Sequence, residues 1–81
     1  MVRANVTIVG CGERKSGNGK KGPYDFVPVA FTYEDKYMEG INVGTANLDG
    51  AVFEQYGVRP GVSLEVFLYF KDYRANIAAV L

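Results

Sequence analysis

The sequence predicts an all-β domain. Apolar and polar residues alternate with period 2 over several segments, as strands with one buried face require, and amphipathic helical spacing is nearly absent. Glycine, proline and charged-turn clusters separate these segments. The 81 residues are 48% hydrophobic and 14% aromatic, too apolar for a disordered chain.

The first strand is read from Val2, Ala4, Val6 and Ile8, which alternate with Arg3, Asn5 and Thr7. Gly10, Gly12, Gly17, Gly19 and Gly22 then mark a long loop where positive φ costs little. Tyr24 to Tyr33 is a longer second strand. Within it Pro28 lacks a ladder donor, which implies an edge position, a bulge or a bend. Glu34-Asp35-Lys36 reads as a hairpin turn into a third strand, about Tyr37 to Thr45, where Gly40 and Gly44 allow sharp coiling. Residues 46–57 hold either one or two helical turns or an irregular crossover ending at Gly57. After an Arg59-Pro60-Gly61 turn, Val62, Leu64, Val66, Leu68 and Phe70 form the inward face of a fourth strand, with Ser63, Glu65, Phe67 and Tyr69 opposite. Lys71-Asp72 turns the chain into a last strand, Tyr73 to Leu81. Five strands with a long gap between the third and fourth suit a small Greek-key barrel of the OB type. An SH3-like barrel has the same strand count and competes with it.

Bulk properties bound the function. Residues 1–81 form one domain, short enough to bury only about 60–65% of its unfolded surface, and dimerisation is a common remedy at this size. No run of about 18 apolar residues occurs, and the N-terminus is too short and polar for a signal peptide, so no membrane association is expected. The single cysteine, Cys11, forms no internal disulfide, which fits a reducing, cytoplasmic location. There is no histidine, so Ser-His and Cys-His nucleophiles are impossible, and no paired ligand spacing marks a metal. Gly17-Asn-Gly-Lys-Lys-Gly22 lacks the phosphate-loop Gly-Lys-Ser/Thr ending and a following helix. No enzyme, cofactor or small-molecule substrate is expected.

The zero net charge conceals an asymmetry. Residues 1–21 carry five cations and one carboxylate, net +4, whereas residues 22–81 carry four cations and eight carboxylates, net −4. The positive field is concentrated on the glycine-rich loop, in Arg14, Lys15, Lys20 and Lys21, and any polyanion must approach that side. Tyr24, Phe26, Phe31 and Tyr33 follow at once. Cations that track phosphate beside rings that stack on bases are the two parts of a single-stranded nucleic-acid groove. On the fourth strand Phe67 and Tyr69 lie opposite the apolar set, and face either a ligand or a dimer interface.

At these residues the chain resembles a family. Ser16-Gly-Asn-Gly-Lys-Lys-Gly-Pro-Tyr24 is similar to the basic loop of the gene V-type single-stranded DNA-binding proteins of filamentous bacteriophages. Phe31-Thr-Tyr-Glu-Asp35 and Arg59-Pro-Gly-Val-Ser-Leu-Glu-Val66 resemble later strands of that family, and the closing hairpin falls where its last strand would. Residues 36–57 match none of it. The resemblance implies an OB-fold homodimer that coats phage single-stranded DNA cooperatively during replication in the bacterial cytoplasm. It implies that Lys15 and Lys20 contact phosphate and that Tyr24 is the tyrosine after the loop. Tyr33 lies one residue from another DNA-contacting tyrosine, and Arg74 falls loosely near a C-terminal basic position. The DNA-binding set expected is therefore Arg14, Lys15, Lys20, Lys21, Tyr24, Tyr33, Phe67, Tyr69 and Arg74. Two other readings compete: a small dimeric β-barrel that binds protein through its exposed rings, and an RNA-binding module of the cold-shock type.

Overall fold

A computed structural model describes residues 1–34, 40–72 and 74–81; of Ile41 only the backbone is described. The chain forms β1 (Val2–Cys11), β2 (Lys15–Gly19), β3 (Gly22–Glu34), β4 (Ile41–Asp49), the short helix α1 (Gly50–Gln55), β5 (Ser63–Lys71) and β6 (Arg74–Val80). The expected turn at Glu34-Asp35-Lys36 and the start of the third strand at Tyr37 fall mostly outside the described residues, as does Tyr73.

All the strands are antiparallel in one sheet. β1 lies between β3 and β5, β5 pairs with β6, and β4 takes the other edge of β3. β6 then runs beside β4. The order β4-β3-β1-β5-β6, with its two ends in contact and a helix between β4 and β5, is that of a five-stranded OB-type Greek-key barrel. Curling so short a sheet requires local breaks in register. Val9 is extra on β1, between Ile8 and Gly10, and Ala78 is extra on β6, opposite the Phe67–Leu68 step. Bulges of this kind bend and twist the strand that carries them.

The alternation seen in the sequence becomes the core. Val6 and Ile8 of β1, Val27, Val29 and Phe31 of β3, and Val66 and Leu68 of β5 are almost completely buried. Gly44 completes the closure. A Cβ there would meet Phe31 Cζ at 2.6 Å and the Ala75 carbonyl oxygen at 3.0 Å, so only glycine lets β4 lie over the Phe31 ring and beside β6.

The structure adds a sixth strand that the sequence does not predict. The glycine-rich loop is not an open loop: Lys15–Gly19 pairs with Gly22–Phe26 as a hairpin, with Lys20 and Lys21 at its tip. Gly22, at φ 110°, carries the chain out of that turn in a conformation that favours glycine. Pro28 is also placed differently from the expectation, because β3 is the strand with the most partners. One of its edges takes β2 over residues 22–26 and β1 over residues 29–33. Pro28 sits at the changeover, where its carbonyl accepts the Gly12 N–H at 2.8 Å and its missing N–H faces the gap between the two partners.

Residues 46–57 resolve into the end of β4 and the helix. Asp49 caps α1 by accepting the Ala51 N–H at 2.8 Å. Gly57, at φ 57°, closes it: its N–H goes to Glu54 and that of Val58 to Phe53, both at 3.1 Å, the paired bonds of a Schellman ending. Phe53 and Val58 then pack against the barrel core.

Candidate nucleic-acid interface

The β2–β3 hairpin sorts its charges by face. Side chains alternate across a strand, so the register Lys15↔Phe26, Ser16↔Asp25, Gly17↔Tyr24 puts Lys15, Tyr24 and Phe26 on one face. Arg14, Ser16 and Asp25 lie on the other. The first face continues the outer surface of the barrel, because Val27, Val29 and Phe31 point inward.

On that outer face Tyr24 is 46% exposed. Its ring lies across bare backbone: a Cβ on Gly17 would meet the Tyr24 hydroxyl at 2.8 Å. Phe26 stands 6.0 Å away, centroid to centroid, and tilted by 41°. Glycine in β2 thus weakens the strand but frees the space the ring occupies. Lys15, Lys20 and Lys21 are all exposed. Asp49 neighbours Phe26, but its carboxylate is turned onto the Ala51 N–H.

Arg14 is held differently. Its Nε and Nη2 donate to the two Asp25 oxygens at 2.8 and 2.6 Å, a bidentate fork, and Nη1 pairs with Glu54 of α1. These bonds push the Asp25 carboxyl below its ordinary range, chiefly through the Arg14 hydrogen bond. They also push the guanidinium upward, Asp25 first and Glu54 second. Gly50 is part of the same cluster, since a Cβ there would come within 2.3 Å of an Asp25 oxygen. Arg14 therefore ties the hairpin to α1 with two carboxylates already on it, a commitment that nothing in the basic segment itself distinguishes from the lysines.

Beyond Phe26 the outer face opens into a shallow groove of about 580 Å³. Gly10 and Gly12 border it on one side and Thr45 and Asn47 on the other, with Pro28 and Ala30 as its floor and Asn76 of β6 at its far rim. Tyr69, 38% exposed, is the cross-strand partner of Asn76, and Arg74 pairs with Lys71 on the same outer face. The expected set is thus partly gathered. Lys20, Lys21, Lys15 and Tyr24 lie at one end of a strip, and Tyr69 and Arg74 border its other end.

Two expected residues stand apart. Tyr33 points inward at the barrel end, its ring 6.1 Å from both Phe31 and Phe70, where it helps close the core. Phe67 is half-buried opposite Arg3 and Ala79. Arg3 is nine residues along β1 from Gly12, roughly 30 Å at the rise of an extended strand. Phe26, named among the rings that follow the loop but left out of the expected DNA-binding set, joins the strip, as do Asn47 and Asn76, which had not been singled out. For Phe26 the signal was available, since it shares Tyr24's alternation.

No helix among the described residues is long and apolar enough to cross a membrane. Comparison with protein-family models, curated proteins and solved structures finds no match for this chain.

Proposed function

We propose that this protein binds single-stranded DNA without strict sequence preference, as the resemblance to the gene V-type phage proteins implies. One observation carries the reading: Lys15 shares a face with the Tyr24 and Phe26 rings, while Arg14 and Asp25 neutralise each other on the opposite face. A strand laid along that face meets cations for its phosphates and rings for its bases, the combination that sequence-tolerant single-strand binding uses. The outer face of the second and third barrel strands, flanked by the loop after the first, is also the surface with which OB folds bind oligonucleotides. In this role the protein coats phage-type DNA during replication in the host cytoplasm, without catalysis and without a cofactor.

The reading includes a homodimer. Val2 and Phe70 are 53% and 51% exposed on neighbouring strands at the barrel end that Tyr33 closes. A second copy covering them would relieve a small domain of exposed apolar surface. Sedimentation at micromolar concentration gives a species twice 8.9 kDa if so, and a species of that mass alone if not.

The direct test is tyrosine fluorescence during titration with oligo(dT), repeated with RNA and duplex competitors. Base stacking quenches the emission, and single-stranded DNA outcompetes duplex. A barrel that binds only protein gives no change, and tighter binding of RNA than DNA turns the reading to an RNA-binding module.

A further inference from the structure

Resting on the single-strand reading, we infer that Gly50 and Glu54 of α1 are positioning residues for the DNA-binding face. They set the angle at which the β2–β3 hairpin stands on the barrel, without touching the DNA. The need for such a device comes from the ladders. β4 pairs with β3 only from Phe26 onward and β1 only from Val29 onward, so residues 22–25 project past both neighbours. Among the described strands β2 pairs with β3 alone. A two-stranded ribbon of this kind is marginal by itself and twists more than a wider sheet does. Lys15 and Tyr24 lie on the ribbon, whereas Pro28 and Ala30 lie on the barrel. The angle between the two parts therefore decides whether one strand of DNA meets both.

α1 reaches the hairpin twice from one face, because Gly50 and Glu54 are four residues apart on the helix. Glu54 takes the third arm of Arg14, whose other two bonds hold Asp25 at 2.8 and 2.6 Å. Among the described residues this pair is the side-chain hydrogen bond that joins the hairpin to another element. Gly50 provides the seat. A Cβ there would come within 2.5 Å of Cγ and both carboxylate oxygens of Asp25, against an ordinary contact of about 3.5–4.0 Å. The carboxylate cannot swing aside without leaving the Arg14 fork, so a side chain at position 50 pushes on the clasp itself. Gly50 is not among the residues with positive φ, so glycine serves here for space and not for conformation. Phe53, meanwhile, packs against the barrel core. The short helix is thus anchored on one side and holds the hairpin with another. Helix and DNA are linked without contact: what seats the helix favours binding, and bound DNA favours the seated helix.

The test measures oligo(dT) dissociation constants by anisotropy on variants of the full chain. Glu54→Gln is decisive in sign. Removing a carboxylate beside a polyanion site should tighten binding by charge alone, whereas loss of the clasp weakens it. The expected result is a dissociation constant raised about twofold to fivefold, the worth of a solvent-screened ion pair. The salt slope stays at the wild-type value, because no phosphate contact is lost. Glu65→Gln removes the same charge from β5 and does not weaken binding. Gly50→Ala weakens binding at least as much as Glu54→Gln, while Tm moves little because alanine favours the helix. In an Asp25→Ala background, with no carboxylate to displace, Gly50→Ala changes affinity no further. If Glu54→Gln binds as tightly as the wild type or more tightly, the positioning role is refuted and the single-strand reading stands. If Gly50→Ala costs as much without Asp25 as with it, Gly50 does not act through the clasp. If oligo(dT) does not bind the wild-type protein, the single-strand reading falls and this inference falls with it.

Discussion

Arg14 and the three hairpin lysines are equally cationic in sequence, yet among the described residues Arg14 alone of the four is paired with carboxylates, and salt dependence separates them. Each phosphate contact with single-stranded DNA contributes about −0.7 to the slope of log K against log[salt]. Lys15, Lys20 and Lys21 therefore predict a slope of roughly −2, and Arg74 at the far end of the strip brings it to nearly −3. Arg14 adds nothing, because a phosphate would have to displace a bidentate carboxylate at 2.8 and 2.6 Å and Glu54 as well. The informative variant is Arg14→Gln combined with Asp25→Asn, which removes one charge of each sign and leaves the local field unaltered. Anisotropy titrations of labelled oligo(dT) at four or five salt concentrations should give the wild-type slope. Affinity should fall uniformly, by a few-fold, as the hairpin loosens from α1. Lys20→Ala with Lys21→Ala should instead flatten the slope by about 1.4. The side chains of Arg14 and Asp25 are each 40% exposed, so the thermal midpoint should move little, as is usual for solvent-screened pairs. A slope reduced by about 0.7 in the double variant would mean that Arg14 leaves its carboxylates for a phosphate, and the division of the hairpin into two faces would be wrong.

Three further outcomes follow from single contacts. Tyr24→Ala should lose about 1–3 kcal/mol of oligo(dT) binding while costing under roughly 1 kcal/mol of folding stability, whereas Tyr24→Phe should bind almost as the parent does. The reverse pattern, measured by titration and urea unfolding, would make the ring structural. Gly44→Ala brings a methyl to 2.6 Å from Phe31 Cζ against an ordinary contact of about 3.5–4.0 Å. It should cost about 1–3 kcal/mol, a fall in Tm on the order of 10 °C for a domain this size, partly restored by Phe31→Leu; an unchanged Tm would show that β4 does not lie over the ring. Asp25 and Glu65 are both held below the usual carboxylate range by their arginine partners. The stability they add is thus complete above the unfolded-state values, about pH 4, and is lost as pH falls through the lower folded values. In acid titration followed by circular dichroism, Asp25→Asn should flatten the response below about pH 4, and an unchanged profile would remove Arg14–Asp25 from the account.

Legibility in the sequence followed burial. Strands with one dry face announce themselves, because Val6, Ile8, Leu64 and Val66 must alternate with polar neighbours to reach the core. β2 carried no such signal. Lys-Ser-Gly-Asn-Gly has no apolar residue and low strand propensity, and all five positions are exposed. It becomes a strand only because the first half of β3 lies beside it and Tyr24 covers Gly17, contacts eleven or fewer residues apart that composition does not encode. α1 was half-legible: Asp49 and Gly57 are ordinary helix boundaries, but six residues are too few for a periodic signal. Pro28 shows why proline rules mislead on a strand with several partners, since the rule concerns the edge a residue faces and not the strand as a whole.

The candidate interface was only partly visible for a related physical reason. Reading the basic segment as a loop gives four equivalent cations. Reading it as a hairpin imposes alternation, and alternation decides function: Lys15 moves to the ring-bearing face and Arg14 to the face with Asp25. Registers also separate residues that sequence proximity joins. Tyr24 and Tyr33 lie on one strand, but nine steps of a two-residue period place them on opposite faces, one toward solvent and the other in the barrel end. Conversely, Asn76 and Asn47 are far apart in sequence, yet β6 closes against β4 and brings both to the groove. The net charge of zero is then no argument against a polyanion partner. What a DNA strand would meet is the field of one face, and this fold withdraws the Asp25 carboxylate from that face by giving it to Arg14.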